Sequence, residues 1–486
     1  MAEGLKRVKG EFGASGIGAV GHASSTSEEL HLLAKIVRGL GSENIDHRLR
    51  HADASQAAPA AHARWLGLPL ADLSKLDCAY VIGSFLRKDH PLFALRLRHA
   101  VRHGAQLHSL HAVHDDWLIN LATRQTAAPA DWPLALAQVA VAVAAARGIE
   151  APVQAEASAE ASAEAHRIAA SLLSGERAAV LLGNAAAWHP QAAQLLALAQ
   201  WIAQATGARC GYLGEAGNSV GAQLVNAVPG AGGLSAAQML SQSMKALLLL
   251  HTEPVLDSAD AAAAKRALLA SGLVVALTPF KDALADVADV MLPIAPFTET
   301  AGCFVNAEGR VQSFHGVVKP LADARPAWKV LRVLGNLLGL AGFGHETVED
   351  VRAEALGDIA ELASRLDNAA AQSIAPVAAA KQASAACLQR VADVPIYATD
   401  SLVRRAPSLQ ATADGAAPVA GLSAALWAQL GLQAGDRVRV TQAEGSAELQ
   451  AREDASLAEG TLRVSAGHPL TAELGAMFGA ISVQKV

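Results

Sequence analysis

The sequence predicts an α/β fold with mostly parallel sheets, followed by a separate β-rich segment, and three observations carry that prediction. Continuous apolar strands alternate with amphipathic helices from Ile17 onward, the pattern of a parallel sheet covered on both faces. Beyond Pro395 the pattern changes to short alternating strands punctuated by glycine turns. At 486 residues the chain is too long for one ordinary core, and about three domains are expected.

The elements follow in order. Ile17 to His22 reads as a strand, and Ser25-Thr26-Ser27-Glu28-Glu29 fits a capping box that opens a helix. Leu30, Leu33, Ile36, Val37 and Leu40 keep the helical period, and Gly39 and Gly41 supply a stop. The same strand-helix unit recurs at Ala79 to Ile82 with Phe93 to Arg102, at Ala178 to Leu182 with Gln191 to Thr206, and at Ala246 to Leu250 with Ala259 to Ala270. Strand Leu273 to Leu277 follows, then a buried strand end at Val290 to Leu292 stopped by Pro293. Cys303 to Asn306 and Arg310 to Phe314 read as a hairpin around Asn306-Ala307-Glu308-Gly309. Glu150 to Ala165 repeats Ala-Ser-Ala-Glu and is expected as an exposed helix, whereas Ala371 to Ala386 reads as a linker. In the last segment, Gly435-Asp436 turns into an alternating strand ending at Val440, and Ala447 to Ala451 and Thr461 to Ser465 continue the β pattern.

Composition narrows the function classes. Net charge is −6 with both signs interspersed, so no basic surface for nucleic acid or anionic lipid is encoded. The hydrophobic content is 52% but only 4% of residues are aromatic, which predicts cores of Ala, Leu and Val. Basic residues at the N-terminus are not followed by an apolar run, so no secretory signal is read and a cytoplasmic location is expected. Leu134 to Ala146 falls short of the roughly 20 residues of a spanning helix and is expected as an alanine-rich surface or core helix. Cys78, Cys210, Cys303 and Cys387 lie far apart, without the short spacings of an iron-sulfur or zinc site, and read as buried free thiols.

Three short motifs lead to ordinary structural roles. Gly16-Ile17-Gly18-Ala19-Val20-Gly21 matches the dinucleotide pattern, but the motif is itself the strand and the helix starts later, so no nicotinamide site follows. Gly217-Asn218-Ser219-Val220-Gly221 matches a hydrolase elbow, yet the preceding strand ends near Leu213 and no helix opening or triad partner is evident, leaving a loop. His108, His111 and His114 sit on and after a strand over 106–111, where alternation sends His108 and His111 to opposite faces. Solvated histidines at a strand end, not a metal site, are expected.

One long stretch is more specific. Ala288 to Phe314, with Thr298-Glu299, Gly302, Phe304, Asn306, Glu308-Gly309-Arg310 and Gln312 in register, resembles the T-E-x-x-G-x-F-x-N-x-E-G-R-x-Q signature of the molybdopterin-oxidoreductase superfamily. The resemblance is to the version in the large iron-sulfur subunit, the G subunit, of bacterial NADH:quinone oxidoreductases (respiratory complex I). Ser42 to Arg50, Ile82-Gly83-Ser84 with Arg87 to Pro91, and Gly217 to Ala222 resemble further stretches of it, and Gly431 to Val440 is similar to the superfamily's C-terminal dinucleotide-binding β-barrel. The resemblance implies two doubly wound domains, one inserted in the other: 1–52 with 235–345, and 53–234. A helical linker over 346–394 and a small barrel over 395–486 complete it. Residues 17–22 and 273–277 then belong to one sheet.

The metal-ligating residue of catalytic superfamily members follows shortly after the stretch matching Asn44 to Arg50, and here Ser55 is the only conceivable ligand. A lone serine among alanines reads as a turn or cap residue. The cleft segments that resemble the family's are mostly neutral, a poor setting for pterin phosphates. No catalytic, cofactor-binding or metal residue is therefore assigned. Nothing in 1–486 matches the cysteine-rich N-terminal portion of the large iron-sulfur subunit, so iron-sulfur clusters are expected in that portion and in partner subunits, and the chain reads as a fragment or split-gene product. The implied role is a cofactor-free part of the peripheral arm, partnered with other arm subunits and peripheral to the inner membrane through the complex. It binds no nucleic acid and inserts in no membrane. The alternatives are an active molybdopterin enzyme using Ser55, and a free-standing binding module.

Overall fold

The computed structural model of the chain describes residues 1–56, 59, 61–153, 161–370, 373–377 and 388–486. Two five-stranded parallel sheets form its centre. The first takes β1 (Ile17–Gly21), β2 (Ile45–Asp46), β8 (Ala246–Leu250), β9 (Val274–Thr278) and β10 (Val290–Pro293), in the order β10-β9-β8-β1-β2. The second takes β3 (Cys78–Ile82), β4 (Gln106–His111), β5 (Thr123–Thr126), β6 (Ala178–Leu182) and β7 (Arg209–Tyr212), in the order β5-β4-β3-β6-β7. Strands from 17–21 and 274–278 thus share one sheet although the whole second sheet lies between them in sequence. β1, β3, β6, β8 and β9 are buried throughout, as apolar runs in doubly covered sheets must be.

Local chemistry explains the boundaries. Thr26 caps the helix Ser27–Gly39 in a reciprocal capping box with Glu29, and Gly41 at φ 93° turns the chain away. The glycines around β1 serve packing: a Cβ on Gly18 would lie 2.7 Å from Met239 Sδ, and one on Gly21 2.7 Å from Leu30 Cδ2. The dinucleotide-like motif is therefore the strand itself, preceded by the short turn Ala14–Gly16. The helix Trp132–Arg147, with the turn Pro129–Asp131 before it, is long and apolar enough to cross a membrane by length and composition. In this fold 61% of that window is buried, against the helices Ala163–Ser174 and Ala192–Thr206.

β11 (Gly302–Val305) and β12 (Val311–Phe314) form the antiparallel hairpin read from the sequence. A closed six-stranded barrel ends the chain, in the order β13-β17-β14-β16-β15-β18: β13 (Leu388–Val391), β14 (Ala420–Leu422), β15 (Arg437–Gln442), β16 (Gly445–Glu453), β17 (Thr461–Arg463) and β18 (Ala480–Lys485). Gly435 at φ 95° makes the turn into β15, whose Val438 and Val440 point into the barrel core.

Four expectations are corrected. β10 is an edge strand and half-exposed, because it pairs only with β9 and has no neighbour beyond it among the described residues. β13 lies in the stretch expected as linker but is a barrel strand, and four residues show no periodicity until β17 and β18 pair with them. The rest of that stretch is also more than a connector, since Val348–Leu356 packs on the helix Ser27–Gly39 and Arg352 Nε donates to buried Glu28 at 2.8 Å. The elbow-like motif is not a loop throughout: the short helix Ser219–Leu224 opens within it. Asn218, fully buried, precedes that helix, and its Oδ1 accepts from Val305 N at 2.8 Å and Ser27 Oγ at 3.2 Å while its Nδ2 donates to Ser25 O. Residues 154–160, 371–372 and 378–387, on which parts of the alanine-rich and linker expectations and Cys387 fall, lie outside the described residues.

Candidate functional site

In open parallel sheets, ligands bind in the crevice outside the carboxyl ends of the strands where the strand order reverses. In the first sheet that point lies between β1 and β8, followed by His22 and His251, and in the second between β3 and β6, followed by Gly83 and Gly183. The segment Ile45 to His51 and residues 396–405 meet near these edges, where Arg50 donates to Thr399 O at 3.2 Å and shares Asp257 with Arg404. The sequence places Arg48, Arg50, His47 and His51 there, so the cleft is charged and not neutral as expected.

The charges satisfy one another. Asp46, 1% exposed, takes Arg48 Nε at 2.9 Å and Nη2 at 3.0 Å and also accepts from Ala236 N; although burial raises its pKa, Arg48 holds it at about 2. Arg50 lies 3.4 Å from Asp257 and 3.7 Å from Glu215, and its guanidinium faces the Trp188 ring. His51 Nε2 lies 3.0 Å from Glu215, whose pKa falls to about 2 because His51 and Arg50 outweigh its burial. Arg404 bridges Glu253 and Asp257, both at 2.9 Å, and Arg405 bridges Glu253 and Asp282, both at 2.6 Å. Carboxylates outnumber guanidiniums in this chain of contacts. His47 donates from Nδ1 to Ala227 O, and burial lowers its pKa to about 4, so it is neutral near pH 7.

Sequence reasoning singled out only the 42–50 part of this network. Glu215, Glu253, Asp257, Arg404 and Arg405 come from other segments, and the adjacent arginines at 404–405 were the one visible signal.

Ser55 stands apart. It is exposed in the turn Ala54–Gln56, its hydroxyl donates to Asp53 Oδ1, and Asp53 Oδ2 in turn accepts from Ala193 N at 2.9 Å. That is a turn-capping arrangement. The histidines of the 106–111 strand are not gathered either. His108 and His111 are 2% and 5% exposed, on opposite faces of β4, which corrects the expectation of solvated side chains: β4 is an interior strand covered on both sides. Burial lowers their pKa values to about 4 and about 3, and His111 packs edge-on against Phe85. Among the described residues no group of three or more His, Cys, Asp or Glu is placed to hold a metal ion. Cys78 and Cys303 are buried free thiols and Cys210 is a partly covered one, their pKa values raised by burial to about 11, 12 and 12.

The cavities complete the geometry. One of about 60 Å3 lies among His47, Arg48, His51, Asn184, Tyr212 and Glu215, far below the several hundred Å3 of a cofactor pocket. A larger one, about 470 Å3, lies between the second sheet and the barrel. Its buried guanidinium, Arg463, already meets Asp115 and Asp393 at 3.3 Å and Asp454 at 3.6 Å, over the Phe85 ring.

Comparison with known proteins gives this architecture its class. Residues 1–337 match the molybdopterin oxidoreductase family and residues 395–479 the molybdopterin dinucleotide binding domain, and the chain belongs to the molybdopterin oxidoreductase family. It is 28% identical over 393 residues to the G subunit of NADH-quinone oxidoreductase from Mycobacterium bovis and from Mycobacterium tuberculosis, a match covering 73% of this chain and 44% of those proteins. The chain thus spans less than half the length of these relatives. It is 34% identical over 134 residues to the mitochondrial 78 kDa subunit of NADH-ubiquinone oxidoreductase of Candida albicans, 26% of this chain and 18% of that one. Acetylene hydratase from Pelobacter acetylenicus shares the fold with a TM-score of 0.70 at 14% identity, over 100% of this chain and 88% of that one.

The family implies a molybdenum-pterin dinucleotide, and the ion-pair network between the sheets does not fit one. A dinucleotide needs cationic groups free to meet its diphosphate, whereas Arg48, Arg50, Arg404 and Arg405 there, and Arg463 in the larger cavity, are each engaged by carboxylates of the same chain; Arg87 and Arg452, which also line the larger cavity, are exposed and form no ion pair with a carboxylate among the described residues. A metal ligand must face the cleft, whereas Ser55 is exposed and turned to Asp53.

Proposed function

We propose that this chain is a structural, cofactor-free portion of the large iron-sulfur subunit, built into the peripheral arm of an NADH:quinone oxidoreductase on the cytoplasmic side of the membrane. The observation that carries the reading is the engagement of Arg48, Arg50, Arg404 and Arg405 by in-chain carboxylates: between its two sheets this chain holds an ion-pair network that ties its parts together. Similarity to the G subunit of that enzyme over most of the chain supports the choice of complex. The portion lends docking surface and rigidity, and iron-sulfur clusters borne by partner subunits carry electrons from NADH to quinone. A fold does not carry its family's chemistry where the ligands are missing.

The test is metal analysis and an absorption spectrum of the purified chain, followed by reconstitution with cluster-bearing partners. The expected result is a colourless protein without stoichiometric iron or molybdenum that oxidises no NADH alone and associates with the partners in an active assembly. Stoichiometric molybdenum, or NADH oxidation by the chain alone after removal of flavin, overturns it. A chain that is cofactor-free and associates with none of the partners is instead a free-standing binding module.

A further inference from the structure

A cavity of about 260 Å3 opens at the carboxyl edge of the first sheet, lined in part by the 400–403 segment that leads into Arg404 and Arg405 of the ion-pair network. Thr26 after β1, His251 after β8 and Pro279 after β9 line it together with Phe297, Phe304, Asp400 and Leu402. Among the described residues no lysine or arginine lines it. Glu29 does, and its two oxygens differ. Oε2 accepts the capping bond from Thr26 N at 3.0 Å and lies 3.6 Å from His251 Nε2. Oε1 has no hydrogen-bond partner among the described residues, although Glu29 is 1% exposed. A buried carboxylate oxygen without a donor costs folding free energy, so it calls for a donor from outside the chain. His251 is held at φ 53°, a left-handed conformation rare for a residue with a Cβ, which keeps its ring beside Glu29.

Phe297, in the cavity lining, is 54% exposed, and in the segment hydrogen-bonded to the adjacent Thr298 and Glu299, Val317, Val318 and Leu321 are 84%, 58% and 78% exposed, with Lys319 among them also exposed. These side chains are not on a loose loop. Val317 N and Val318 N both donate to Thr298 O, at 2.8 and 3.3 Å, and Leu321 N donates to Glu299 Oε2 at 3.0 Å. The turn Phe297–Glu299 therefore ties these apolar side chains, the rim, to the acidic cavity. Scattered exposed apolar residues need no explanation, but four pinned beside one cavity mark an interaction site.

We propose that this surface docks a partner polypeptide that inserts an arginine or lysine side chain toward Glu29 while its flanking apolar residues cover Val317, Val318 and Leu321. The chemistry is complementary at each level. The aromatic rings of Phe297 and Phe304 accept the stem and the cation, Asp400 adds negative charge, and Glu29 Oε1 gains the charge-assisted hydrogen bond it lacks. A small free amine would use the cavity and leave the rim uncovered, so the rim selects a polypeptide. The proposal does not depend on which complex the chain serves.

The test uses the full chain and three probes: the capped peptide Gly-Leu-Arg-Leu-Gly, the same peptide with glutamine in place of arginine, and butylguanidinium. Calorimetry is expected to show the arginine peptide binding about tenfold more tightly than the glutamine peptide, the scale of one buried charged hydrogen bond. In Glu29→Gln, which keeps the capping box because glutamine serves equally at that position, the two peptides should bind alike. The double variant Val317→Ser/Leu321→Ser, whose side chains are exposed and cannot unfold a core, should weaken both peptides and preserve their ratio. The proposal is overturned if the arginine peptide shows no saturable binding, if the ratio survives Glu29→Gln, or if butylguanidinium alone binds as tightly as the peptide, which would make the cavity a small-amine site.

Discussion

Replacing Arg404 by methionine tests the ion-pair network most directly. Arg404 bridges Glu253 and Asp257, which are 3% and 0% exposed, so its removal strands two carboxylates in the interior. Breaking one partner out of a buried pair costs about 3–5 kcal/mol. The lower part of that range applies here, because Asp257 keeps Arg50 at 3.4 Å and the Glu253 backbone N–H at 2.8 Å, and Glu253 keeps Arg405 at 2.6 Å. About 3 kcal/mol is therefore expected, read as a lower urea midpoint by tryptophan fluorescence at pH 7. The sign of the pH dependence is also set. Burial alone raises the pKa of Asp257, but Arg404, then His22 and Arg50, bring it below the ordinary carboxylate value. A folded pKa below the unfolded one adds stability above the unfolded pKa and loses it as pH falls through the folded one. In Arg404→Met that pKa rises, so acid unfolding should begin at higher pH than in the parent. Neutralising the stranded acids, in Arg404→Met/Glu253→Gln/Asp257→Asn, should restore most of the loss. A single-variant loss under about 1 kcal/mol, or a triple variant as unstable as the single one, refutes the reasoning.

Three further outcomes are expected. Ser55→Ala should cost no more than about 1 kcal/mol in urea unfolding, since its hydroxyl serves only the local turn with Asp53; a larger loss, or loss of a molybdenum signal present in the parent, contradicts the turn role. Asp89, in the large cavity, has its pKa raised to about 7 by burial and by the nearby Asp393 and Asp115. Between roughly pH 4 and 7 the folded state then holds a proton that the unfolded state has released, so stability should fall as pH rises through that window. Asp89→Asn should flatten the slope of urea midpoint against pH, and an unchanged slope refutes the assignment. Gly211→Ala should destabilise the chain by more than about 2 kcal/mol in the same assay, because a Cβ there would lie 1.8 Å from Leu66 O where β7 meets the 65–67 segment; a near-neutral result would mean the two backbones separate freely.

The alternation of buried strands and helices, the capping box of Thr26 and Glu29, the hairpin over 302–314 and the alternating strands of the barrel were all legible in the linear chain. These features rest on nearest-neighbour chemistry, a 2.0 or 3.6 residue period and turn residues with special φ, which a string of residues displays directly. The family signature was likewise legible because its residues are contiguous. Other features came only with packing. That β10 is an edge and that His108 and His111 are covered depends on what lies against a strand and not on the strand. β13 became a barrel strand because four residues gain their identity from the strands that pair with them. Above all, packing fixed the meaning of the arginines. The linear chain gives no sign of what Arg50 and Arg404 meet, because Glu215, Glu253 and Asp257, remote in sequence from Arg50 or Arg404, stand beside them only in the fold. Charge is written in the residue, but whether it is free or spent depends on distance.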